Sequence, residues 1–119
     1  LGDWSADVCS SDLGVSIAGN CDEVTLSGIN GRNLAGSLVE RTAGTVRAAI
    51  ISGCTVSSAA NGVTWAAANL PTAGLSVFAS HFNMVTGNVA SGHTPASARA
   101  NYKGNTYNAG QFTETAIVP

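Results

Sequence analysis

"AIISGCTVSSAANGV" (residues 49–63) holds in one piece a pattern that runs through the chain. An apolar run meets Ser-Gly, a second short β-prone run follows, and an Asn-Gly pair closes the unit. Working outward, "TLSG" (25–28), "IISG" (50–53), "VFAS" (77–80) and "NYKG" (101–104) align, which places Leu26, Ile51, Phe78 and Tyr102 in one series. The steps are 25, 27 and 24 residues, and Leu38, Trp65 and Val89 each precede a member of that series by 13. A unit of about 25 residues with two strand positions is the signature of a solenoid, in which no coil buries its apolar face alone. The parity change between Val77 and Phe78 leaves the inward residue of that coil open, because a one-residue slip exchanges the two faces of a strand.

Composition fits this geometry. Runs such as "GVSIAG" (14–19), "VRAAIISG" (46–53), "NGVTWAA" (61–67) and "GLSVFAS" (74–80) are separated by Gly, Asn, Ser and Pro, as strands broken by tight turns are. A β-sandwich, with turns every ~8–12 residues, is the competing all-β reading. "NLAGSLVERTAG" (33–44) offers one helical alternative, weakened by Gly36 and the lack of clear caps. Charged residues make up 10% of the chain, against ~25% in ordinary soluble domains. Arg32, Arg41, Arg47, Arg99 and Lys103 are scattered, which argues against nucleic acid, whose phosphates call for clustered cations. No window reaches the ~18 apolar residues of a membrane span.

"EVTLSGINGRN" (23–33), "AIISGCTVSSAANGV" (49–63) and "ANYKGNTYNAG" (100–110) resemble coils of right-handed parallel β-helices of the pectin-lyase-like superfamily. The resemblance spans residues 14–110, some three to four coils, and implies an all-β fold that is the truncated, terminal part of a longer β-helix. It also implies an extracellular or virion-surface parent that binds or cleaves polysaccharide, trimeric if tail-spike-like. The expected role is a structural or carbohydrate-binding fragment that is not itself catalytic. The alternative is a piece of a polysaccharide lyase or glycoside hydrolase whose catalytic coils are missing.

"GDWSADVCSSDL" (2–13) resembles something else, the translation of a short-read sequencing adapter, with Ala6 where the adapter frame gives Ser. Residues 1–13 are therefore expected to be non-native and disordered, residues 14–110 to form the coils, and 111–119, "QFTETAIVP", to be a tail. Setting aside Asp3, Asp7 and Asp12 leaves four acids against five bases, so the formal charge of −2 says little about partners.

The acids that remain are Asp22, Glu23, Glu40 and Glu114. Glycosidases need two carboxylates facing one groove. Asp22 with Glu40 is the candidate pair, although solvated surface acids are the simpler reading. Asp22 and Glu23 are adjacent and should point to opposite faces of a strand. His81 is expected at a corner or on the surface, and neither it nor His93 has a triad-spaced carboxylate. Cys21 and Cys54 lack metal-site spacing and read as buried thiols, with a disulfide as the alternative. No metal or cofactor is expected. Trp65 and Phe78 read as core, whereas Tyr102, Lys103 and Tyr107 flank a polar coil and are the candidate glycan-facing residues.

Overall fold

The computed structural model describes residues 3–4, 7–9, 14–94 and 97–107, and the expected tail at 111–119 lies outside them. The chain winds into a parallel β-solenoid of about four turns with almost no helix. Its strands are β1 (Asp3–Trp4), β2 (Asp7–Cys9), β3 (Val15–Ala18), β4 (Cys21–Ser27), β5 (Asn30–Arg32), β6 (Ser37–Ala43), β7 (Val46–Ser52), β8 (Thr55–Val56), β9 (Asn61–Thr64), β10 (Leu75–Phe78), β11 (His81–Phe82), β12 (Ala90–Ser91), β13 (Ala100–Lys103) and β14 (Thr106–Tyr107). They form three parallel sheets, ordered β1-β4-β7-β10-β13, β14-β11-β8-β5-β2 and β12-β9-β6-β3. Each full turn contributes one strand to each sheet. The two-strand unit expected from the sequence is thus a three-strand unit, because the second-sheet strands are only two or three residues long and carry little periodic signal.

Parallel pairing excludes the sandwich, whose sheets are antiparallel. The helical alternative also fails: Ser37–Ala43 is a strand that buries Ser37, Leu38 and Val39. The first-sheet register pairs Leu26 with Ile51, Ile51 with Val77 and Val77 with Tyr102. Val77, not Phe78, therefore completes the inward column, and its steps of 25, 26 and 25 residues are more even than those of the aligned tetrapeptides. Phe78 moves from core to surface, at 41% exposure. Trp65 is buried as expected, but the register places Gly62, not Trp65, between Leu38 and Val89.

The core is one continuous cluster, filled by unequal side chains that compensate each other. Along the second sheet the inward column runs Gly31, Val56, Phe82, Tyr107. Leu34 occupies the space a side chain at 31 would need, since a Cβ there would lie 2.7 Å from its Cδ1. Phe82 likewise leans over Gly62, where an added Cβ would meet its ring at 3.0 Å and the Val89 carbonyl oxygen at 2.6 Å. Each fully buried aliphatic or aromatic residue contributes roughly 1.5–3 kcal/mol, so this filling, repeated coil by coil, carries the fold.

A corner follows β4, β7, β10 and β13. Gly28, Gly53, Ala79 and Gly104 all have φ between 56° and 70°, and the next residue, Ile29, Cys54, Ser80 or Asn105, turns inward. At two of these corners a side chain from the following coil accepts from the inward residue's amide. The Cys54 amide donates to Ser80 Oγ at 3.1 Å, and the Ser80 amide donates to Asn105 Oδ1 at 2.9 Å. Asn105 Nδ2 in turn donates to the Val77 carbonyl at 3.0 Å. Buried amides must be satisfied, which is why polar residues occupy this interior column.

The disorder expected for residues 2–13 is corrected where the chain is described. Asp3–Trp4 pairs with Thr25–Leu26, and Asp7–Cys9 pairs with Asn30–Arg32. The edge of a parallel sheet presents unpaired N–H and C=O groups that any extended segment can meet through its backbone, whatever its side chains.

Gly62→Ala should destabilise the fold by about 1–3 kcal/mol, because the contact at 2.6 Å is to backbone that cannot turn aside. Gly19→Ala, where a Cβ meets nothing within 4 Å, should leave stability nearly unchanged. Urea unfolding of the two variants checks the contrast.

Candidate functional site: the outer face of the first sheet

Period-two alternation fixes what this face presents. Because Val77 and Tyr102 point inward, Ser76, Phe78, Asn101 and Lys103 point outward from β10 and β13. Register places Ser76 beside Asn101 and Phe78 beside Lys103. With Ala79 and Gly104 these four residues line a shallow groove of about 350 Å³. Ser76 and Asn101 also line a neighbouring groove of about 280 Å³ that extends past Gly74 to Arg99. Ile50, 36% exposed, lies beside Ser76 on the next strand. The arrangement offers an exposed aromatic ring on the sheet's outer face with a hydroxyl, an amide and an ammonium around it. An apolar platform edged by a few polar groups can hold a ligand that is itself part apolar and part hydroxylated.

The residues singled out from the sequence scatter. Lys103 is exposed in the groove. Tyr102, expected on the surface, is 2% exposed, and burial raises its phenol far above the usual value. Tyr107 is half-buried and stacks on Phe82 with centroids 5.9 Å apart, so it belongs to the inward column. Phe78, read as core from the sequence, faces outward. The near-constant 25-residue step counted back from Tyr102 was the signal that could have found it.

The candidate acids do not meet. Asp22 lies on β4 in the first sheet, and half-buried Glu40 lies on β6 in the third. Asp22 and Glu23 are both exposed, and both reach one guanidinium. Arg47 Nε is 2.7 Å from Asp22 Oδ1, and Nη2 is 3.3 Å from Glu23 Oε2. The Arg47 hydrogen bond and charge hold the Asp22 carboxyl below its ordinary range. Among the described residues, no three of His, Cys, Asp and Glu are grouped as a metal site. His81 is exposed, as expected, with Nδ1 on Thr106 Oγ1, whereas His93 is buried.

Cys21 and Cys54 are free thiols. Cys54 is buried, and Cys21 only half so. Burial pushes the Cys54 thiol up, opposed by hydrogen bonds from the Ile29 and Gly28 backbone. No protein-family model, curated protein or solved structure matches the chain. No helix among the described residues is long and apolar enough to cross a membrane.

The thiolate is the reactive form, so Cys54 should alkylate far more slowly than Cys21 in the native protein at pH 8 and at a comparable rate in denaturant. Peptide mapping after timed iodoacetamide treatment measures both rates.

Proposed function

We propose that this solenoid is a structural, carbohydrate-binding module of a secreted or virion-associated protein, in which the outer face of β10 and β13 contacts polysaccharide. One observation carries the reading: Phe78 is exposed on the outer face of the first sheet, in register with Lys103, with Ser76 and Asn101 lining the same groove. The ring offers an apolar surface to the C–H face of a sugar, and the hydroxyl, amide and ammonium can bond its hydroxyl groups. The resemblance of the coil pattern to pectin-lyase-like β-helices points the same way, and trimeric assembly would follow if the parent is tail-spike-like.

A binding role is favoured over a lyase or hydrolase by where the described acids sit. Asp22 and Glu23 are tied to Arg47, and Glu40 stands on a different sheet, so these acids do not make a carboxylate pair across the Phe78 groove.

Affinity electrophoresis through gels containing a panel of polysaccharides tests the proposal. Wild-type protein should be retarded by at least one of them. Covering the Phe78 ring is worth roughly 1.5–3 kcal/mol, so Phe78→Ala should weaken that affinity about tenfold or more. Asn101→Ala and Lys103→Ala should show smaller losses, all with unchanged circular dichroism. Retardation that is the same for wild type and Phe78→Ala would count against this face.

A further inference from the structure

His93 joins two turns of the solenoid that are not neighbours. It lies between β12 and β13, is 6% exposed, and uses both ring nitrogens. Nδ1 is 2.9 Å from the Trp65 carbonyl oxygen, at the start of the 65–74 excursion between β9 and β10. Nε2 is 2.7 Å from the hydroxyl of Tyr102 on β13, with the two rings 5.7 Å apart. The excursion is itself tied by the Trp65 indole, which donates to the Asn69 carbonyl at 2.7 Å.

With a neutral ring, this bridge has a single proton arrangement. A carbonyl oxygen only accepts, so Nδ1 must carry the proton, and Nε2 must then accept from the Tyr102 hydroxyl. That pattern belongs to the neutral ring. A second proton turns Nε2 into a donor, forces the phenol hydrogen away, and places a cation inside the core. Among the described residues, the groups that face the ring are the Trp65 carbonyl from the excursion, the Ser91 backbone from β12 and the Tyr102 hydroxyl from β13. Only the Tyr102 phenol among them can ionise, and burial keeps it neutral. Nor can a carboxylate from the surrounding coils answer the charge, because no Asp or Glu occurs anywhere from residue 41 to 113.

We propose that His93 is an acid-sensitive latch: neutral, it holds the 65–74 excursion and β13 against the core, and its protonation releases both. Burial also lowers its basicity. With the folded-state value below the ordinary ~6.5, the unfolded or opened chain binds the extra proton first. The latch is therefore complete above about pH 6.5 and weakens as pH falls below it, until the folded-state value is reached. β13 also carries Asn101 and Lys103, so opening would dismantle the groove, but the latch stands independently of any glycan role.

Hydrogen exchange followed by NMR from pH 7.5 to 4.5 tests this, with protection factors corrected for intrinsic exchange. The β13 and 65–74 amides of the wild type should lose protection by up to about tenfold per pH unit below 6.5, the limit for one proton, while the β4 and β7 amides change less. His93→Gln, whose amide can both donate and accept without titrating, should flatten this response although His81 is still present. Histidine ring shifts of the wild-type protein give a second reading that needs no variant, and the His93 resonance should titrate below 6.5 together with the loss of protection. Protection of β13 that is independent of pH, an equal loss in His93→Gln, or a His93 ring that titrates at its ordinary value would each overturn the latch.

Discussion

The structure depends on one constraint: each strand must lie in parallel register on the strand about 25 residues before it. Pairing Leu26 with Ile51, Ile51 with Val77 and Val77 with Tyr102 stacks an apolar column in which every member is both floor and roof for its neighbours. No single coil encloses a core, so stability is cooperative along the stack. The same register decides what the outside shows, because a strand that points Val77 inward must point Phe78 outward.

The corners make that register tolerable. A left-handed residue at 28, 53, 79 and 104 turns the chain, and after 53 and 79 the following amide is met by a side chain. Supplying that acceptor from the next coil, Ser80 to Cys54 and Asn105 to Ser80, adds a further inter-coil bond. Because each acceptor comes from the coil above, it also helps hold the register. The side-chain filling works in the same way, with Leu34 and Phe82 occupying room left by Gly31 and Gly62. Small and large residues at equivalent positions are thus a coordinated set.

Much of the architecture was legible in the sequence because stacking repeats itself. Alignment of "TLSG", "IISG" and "NYKG" located three members of the central column and set the coil length. The fourth, "VFAS", misled because the corner motif is degenerate there: Ala79 takes the position that Gly holds elsewhere, and sequence alignment shifted the column by one residue. That slip hid the exposed ring and made Phe78 a core residue on paper. Tyr102 failed for a related reason, since a tyrosine beside Asn and Lys looks solvent-facing until His93, nine residues earlier, is seen to meet its hydroxyl. The short second-sheet strands were invisible because two residues cannot show a period.

The register of β10 therefore decides both the inward column and the outward platform. Inter-strand Hα–HN nuclear Overhauser effects across β7, β10 and β13 measure it directly. Contacts are expected to set Val77 level with Ile51 and Tyr102, leaving the Phe78 ring without contacts to the core. Contacts that instead set Phe78 level with Ile51 and Tyr102 would contradict that register, burying the ring and removing the platform on which the candidate site is built.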